Sequence, residues 1–138
     1  MRVISIDYGS QRIGMAISDP LNIIPISLPT LIVNDSNEIA IEKIKNVYNK
    51  YSIGKIIIGY PIGLSGNKTS QTEKVDVFIE LLKTNFDCQI IKWDERYTSV
   101  EAKEILIKKG INVINNKEKV DQMAAFIILK DYLNSNSL

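Results

Sequence analysis

Three consecutive isoleucines, Ile56-Ile57-Ile58, stand between Lys55 and Gly59. Side chains alternate between the two faces of a strand, so an unbroken apolar run needs cover on both sides. That is the mark of a strand inside a parallel or mixed sheet. The rest of the chain must then supply neighbouring strands and helices for both faces.

The flanking sequence does so. Residues 2–7 and 12–18 read as two strands joined by a tight turn at Tyr8-Gly9-Ser10-Gln11. Residues 23–32 suggest a third strand, and Pro25 and Pro29 place it at a sheet edge, because proline cannot donate to a ladder. Asp35 followed by Glu38 reads as a helix start, and Ala40, Ile44, Val47, Tyr48 and Tyr51 continue it at helical spacing. A polar loop over 60–69 leads to Ser70-Gln71-Thr72-Glu73, a capping box that opens a helix to about Asn85. Cys88–Trp93 reads as another buried strand. A third helix opens at Thr98 and stops at Gly110, and Lys119–Leu133 is a last helix followed by a frayed tail over 134–138. The order β-β-β-α-β-α-β-α-α predicts one α/β domain over 1–138. Its mixed five-stranded sheet has a three-stranded antiparallel edge, two parallel strands and helices on both faces.

Composition narrows the chemistry. The chain has no histidine and one cysteine, Cys88. Histidine-based acid–base catalysis, Ser-His-Asp and Cys-His nucleophiles and ordinary zinc sites are therefore excluded. An intrachain disulfide is impossible, which fits a reducing cytoplasm. No apolar run approaches the roughly 20 residues that span a bilayer, and no signal-peptide pattern opens the chain, so no membrane partner is expected. A net charge of +1 does not by itself announce a nucleic-acid binder. What remains for catalysis is carboxylates, Lys, Arg, hydroxyls, or a hard cation held by oxygen, such as Mg²⁺ or Mn²⁺.

Asp7 fits that inventory. It ends an apolar strand, where a charge is costly unless it is paired or holds a cation. Asp94 and Glu95 follow the strand Cys88–Trp93, and sites in open α/β sheets form beyond the carboxyl ends of strands. Asp121 shares a helix face with Ala124 and Ala125, whose small side chains would let that helix approach the sheet. Three converging carboxylates repel one another unless a cation neutralises them, and phosphoryl transfer with divalent metal uses such a set.

Asp7-Tyr8-Gly9 with Arg12-Ile13-Gly14, Gly59-Tyr60-Pro61 with Gly66, Asp94–Ser99 with Ala102, and Asp121 with Ala124-Ala125 and Ile128-Leu129 occur in this order along nearly the whole chain. Together they resemble the YqgF (RuvX-like) family, whose members have an RNase H-like fold and are described as pre-16S rRNA nucleases, formerly as Holliday junction resolvases. The resemblance implies Asp7, Glu95 and Asp121 as metal-binding catalytic carboxylates. It also implies a structured RNA (pre-16S rRNA) or branched DNA substrate, with ribosomal particles as further partners, acting as a monomer or weak homodimer. Two departures stand out. The loop Pro61–Gly66 lacks the Asn and Met common in the family, and the connector Ile111–Glu118 is less basic than in many relatives.

Structural roles compete with each functional one. Asp7 could initiate a turn, Glu95 could pair with Arg96, and Asp121 could favour a helix N-terminus. Arg12 and Arg96 could clamp phosphate or neutralise the acids. Lys68, Thr69 and Ser70 could meet backbone phosphates at a helix start or form an ordinary loop. Thr98 reads as a cap and Trp93 as core. Two other functions remain open at this point: a non-catalytic RNA-binding ribosome assembly factor, and one lobe of an actin-like ATPase, which would need a second lobe to close on a nucleotide.

Overall fold

A computed structural model describes residues 1–63, 65–95 and 98–135. Its elements are β1 (Arg2–Tyr8), β2 (Arg12–Ser18), β3 (Pro25–Ile32), α1 (Asn37–Lys50), β4 (Ile53–Tyr60), α2 (Ser70–Asn85), β5 (Gln89–Asp94), α3 (Thr98–Lys108) and α4 (Lys117–Ser135). The sheet order is β3-β2-β1-β4-β5. β1 pairs antiparallel with β2, and β2 with β3, while β1–β4 and β4–β5 are parallel. The antiparallel edge and the parallel pair are as the sequence predicts.

The isoleucine run is divided between two cores. Ile56 and Ile58 pack with Ile4, Ile6, Ile13 and Met15 under α1 and α2, where Ile44, Phe78 and Leu82 close the layer. Ile57 faces the other way, with Val3 and Ala16, against Ala125, Ile128 and Leu129 of α4. α3 packs on α4 through Ala102, Leu106, Ala124 and Ile127. Alternation along β1 and β2 then places Ser5, Asp7, Arg12, Gly14 and Ala16 on the α4 side.

That side is lined with small residues, and α4 lies close to it. A Cβ on Gly14 would stand 2.0 Å from the backbone oxygen of Asp121, a distance no side chain tolerates. The buried Ser5 hydroxyl donates to the Ala125 carbonyl at 2.6 Å. The other end of the helix approach is fixed at β3, where Gln122 Nε2 donates to Leu28 O at 2.8 Å and Thr30 Oγ1 to Glu118 O at 2.8 Å.

Several local expectations shift. The first cap is Ser36, not Asp35, because Asp35 sits at φ 66 with its N–H donated to Ser10 O. The second is Thr69, boxed with Thr72, so Ser70 is already helical. β5 is not a buried strand. It has a single neighbour, and each of its positions is exposed or only half-buried. α4 begins at Lys117 and runs through Asn134 and Ser135, so the first two residues of the expected frayed tail are helical. Residues 136–138 lie outside the described residues. Trp93 packs edge-to-face on Tyr132, ring centroids 5.5 Å apart, in keeping with a core role. Among the described residues no helix is long and apolar enough to cross a membrane.

Candidate active site

β1, β4 and β5 run parallel, so Asp7, Tyr60 and Glu95 reach the same rim of the sheet. The Glu95 N–H donates to Tyr60 O at 3.4 Å, which ties the residue after β5 to the end of β4. Gly59 makes room for its side chain: a Cβ there would lie 2.6 Å from Glu95 Oε2. A glycine inside a strand often marks such a close approach. Glu95 is thereby folded over the sheet toward Asp7 rather than out into solvent.

Asp7 and Glu95 perturb each other strongly. Burial is the largest influence on both and raises both. Asp121 adds a like charge to Asp7, while the Asp7 charge and its side-chain hydrogen bond push Glu95 further. Asp7 is raised to about 7 and Glu95 to about 9, so the two carboxyls share a proton at neutral pH when no cation is bound. Glu95 Oε2 is sealed from solvent and has no hydrogen-bond partner. An enclosed carboxylate oxygen with nothing to bond is rare in a folded protein and calls for an explanation.

Asp121 stands beside this pair in a different state. Its Oδ2 accepts from Arg12 Nε at 2.7 Å. Burial raises its pKa, and the Arg12 bond and charge oppose that rise. Arg12 therefore neutralises an acid here, one of the two roles the sequence allowed. Among the described residues no three Asp, Glu, His or Cys side chains stand close enough for a ready metal cluster. The structure brings Asp7 and Glu95 together, with Asp121 as an electrostatic neighbour engaged by Arg12.

The donors nevertheless suit a hard cation. All are carboxylate oxygens, one is orphaned, and the excess negative charge is what a divalent ion would offset.

The other sequence candidates fall elsewhere. Lys68 Nζ pairs with Asp76 Oδ2 at 3.1 Å, and Asp76 also accepts from Tyr60 OH at 2.8 Å. Thr69 caps α2, and Ser70 is an exposed first-turn residue. Arg96 lies outside the described residues. Gln71, which sequence reasoning passed over, donates from Nε2 to Tyr8 O at 3.0 Å and so docks the start of α2 against the end of β1. Only its place in a capping box hinted that it would sit near the rim.

Comparisons with known proteins bear on the family and the fold. The family model RuvX, described as Holliday junction resolvase, matches residues 1–135. A protein of Thermoanaerobacter pseudethanolicus named "Putative pre-16S rRNA nuclease" is 43% identical over 98% of this chain and 97% of its own. One of the same name from Ruminiclostridium cellulolyticum is 41% identical over 96% of this chain and 94% of its own. Among solved structures, the Fowlpox virus resolvase in complex with Holliday junction DNA aligns with a TM-score of 0.61 at 17% identity, covering 98% of each chain. Thermus thermophilus RuvC with a Holliday junction substrate aligns at 0.59 and 11% identity, over 98% of this chain and 94% of that one. Both show that the fold is RNase H-like.

Proposed function

The chain belongs to the RuvX family, and from that membership we propose that it is a divalent-metal-dependent endonuclease trimming the 5′ end of pre-16S rRNA in the cytoplasm during ribosome biogenesis. The observation that carries the reading is Glu95 Oε2, enclosed and unpartnered beside Asp7. A purely structural acid at that place would have been given a donor, as Asp76 has been given Tyr60 and Lys68.

Asp7 and Glu95 would hold Mg²⁺ or Mn²⁺, and Asp121, paired with Arg12 in this structure, would have to turn from that guanidinium to serve as the third ligand. When bound, such a cation supplies an activated water and stabilises the leaving oxygen of an in-line displacement. The chain's own residues prepare that site. Gly59 and Gly14 bring Glu95 and the α4 backbone onto the sheet. Arg12 opposes the rise that burial imposes on the Asp121 pKa and adds a guanidinium able to meet a phosphate. The single domain over 1–138 would contain every group the reaction needs, which makes a monomer sufficient for RNA trimming. Resolution of a four-way DNA junction would need two copies on opposed strands.

Matched substrates decide between these. Purified protein with Mg²⁺ or Mn²⁺ is expected to cut 5′-extended 16S precursor RNA in preference to a four-way DNA junction. Asp7→Asn is expected to lose at least a hundredfold in rate while folding normally. Faster cutting of the junction, with a dimer in solution, would assign the protein as a resolvase instead. Metal-dependent cutting retained by Asp7→Asn would sink the site assignment. RNA binding with no cleavage under any metal would make it a non-catalytic assembly factor.

A further inference from the structure

The connector between α3 and α4 forms a surface that adjoins the carboxylate site through Arg12 and Asp121. Two adjoining clefts of about 440 and 410 Å³ share Arg12, Ile114 and Lys117 in their walls. The second also takes in Lys103 of α3 and Asp121, so it opens directly onto the proposed catalytic side. Lys119 lines the first. Lys103, Lys117 and Lys119 are exposed, and among the described residues none is held in an ion pair. Glu118, in the wall of the first cleft, is the opposing charge there.

The connector is shaped by its own hydrogen bonds. Asn112 Oδ1 accepts from Ile114 N at 3.0 Å and Asn115 N at 3.3 Å, and Asn116 Nδ2 returns to Asn112 O at 2.6 Å. The result is a fixed turn that leaves Ile114 77% exposed between the lysines. A lone exposed isoleucine needs no explanation. One held at the lip of two cationic clefts, beside a carboxylate of the active site, has a chemical match in nucleic acid. Phosphates suit the lysines, and apolar side chains wedge against unstacked bases.

We propose that this double cleft is the substrate track of the enzyme. Lys103 and Lys117 hold phosphates of the strand leading away from the carboxylates, and Ile114 packs on a base unstacked next to the cut. The inference rests on the nuclease reading for its substrate class. It accounts for a near-neutral chain acting on a polyanion, because the positive charge needed is local to one groove. It also selects substrates with a frayed or branched element near the cut over uniform duplex.

Binding can be read without cleavage. Asp7→Asn protein in EDTA is titrated by fluorescence anisotropy against a blunt RNA duplex, the same duplex with a single-stranded overhang, and a four-way DNA junction. Lys103→Ala/Lys117→Ala is expected to weaken binding to all three by about tenfold to a hundredfold at 0.1 M salt. It should lower the slope of log K against log salt by about 2. Lys103→Arg/Lys117→Arg should keep that slope, and thermal melts should show all variants folded. Ile114→Ala is expected to weaken the overhang and junction complexes by about fivefold, leaving the blunt duplex and the slope unchanged. An unchanged slope in the double alanine variant overturns the phosphate track. A uniform loss, or none, with Ile114→Ala overturns the wedge. If Asp7→Asn still cleaves while these binding effects hold, the carboxylate assignment fails and the track stands.

Discussion

The two faces of this sheet are built for different purposes from the same strands. Under α1 and α2, the face is a continuous layer of large side chains, Ile4, Ile6, Ile13, Met15, Ile56 and Ile58, with almost no exposure. Under α4, the alternate positions of those strands include Ser5, Asp7, Gly14, Ala16 and Gly59, with Val3 and Ile57 as the larger apolar residues. The first face stabilises the fold by excluding water. The second gives up side-chain volume so that α4 and Glu95 can lie against the backbone, and it uses the space to gather charge. Strength on one face lets the other carry two carboxyls that do not help the fold.

The sharpest way to break that contrast is to give the small face a large residue. Gly14→Val would drive side-chain atoms into the Asp121 backbone, which cannot rotate away as a flexible side chain could. Overpacking costs about 1–3 kcal/mol where neighbours can yield, and more where they cannot. We expect little folded Gly14→Val protein, measured by soluble yield and circular dichroism. A variant melting within a few degrees of the parent would show that α4 is free to move outward.

The reciprocal change empties the other face. Ile58→Ala removes a fully buried side chain beneath α1 and α2. The expected loss is about 2–5 kcal/mol by urea denaturation, with divalent-cation binding to any folded protein retained. A loss of cation binding at full foldedness would mean that the two faces are not independent.

The faces also differ in legibility. The isoleucine run and the helical spacings after it were enough to fix the number of strands, their order of type and the two-sided cover. Asp7 stood out because a carboxylate at the end of an apolar strand is costly without a purpose, and the family resemblance singled out Glu95 and Asp121 as its partners. Their actual relations could not be read that way. The Arg12–Asp121 bond joins residues 109 positions apart, and nothing local tells Arg12 to choose that acid over Asp7 or Glu95. Gly14 and Gly59 were visible as glycines in strands, but what approaches them is decided by tertiary packing. Caps slipped by one residue for a similar reason. Asp35-Ser36 and Thr69-Ser70 each offer two competent residues, and the Asp35 contact with Ser10 settles the first choice from outside the helix. β5 was expected to be buried from its apolar residues, but as the last strand it has only one neighbour.

Charge on the small face has a pH signature of its own. Asp7 and Glu95 have raised pKa values in the fold, so the native state keeps protons that the unfolded chain releases near pH 4. Stability must therefore fall as pH rises from about 5 to 9. Asp19 and Asp76 have the opposite sign. Asp19 accepts the N–H groups of Leu21, Ile23 and Ile24, its pKa is lowered, and its contribution is lost only as acid protonates it. The two behaviours occupy different pH windows. In EDTA, the melting temperature is expected to drop by about 5 °C between pH 6 and 8.5, and Asp7→Asn should reduce that drop, leaving the part that burial of Glu95 imposes. Added Mg²⁺ or Mn²⁺ should restore the parent more at pH 8.5 than at pH 6, because cation and proton compete for the same oxygens. A parent curve that is flat or rises over this range would mean that the two carboxyls are not held together as described.

The smallest expected effect tests how α4 is held. Ser5, on the central strand, is fully buried and donates to Ala125 O across the interface. Ser5→Ala removes one hydrogen bond and little volume, and the Ala125 carbonyl keeps the bonding available to it within the helix. About 1 kcal/mol is the expected loss by urea denaturation. If α4 is positioned by the contacts at Gly14, Leu28 and Thr30, the pH dependence of Ser5→Ala should match that of the parent, since Asp121 and Arg12 would not have moved. A changed pH profile at this small cost in stability would instead make Ser5 a positioning residue for the carboxylates, acting through the helix it anchors.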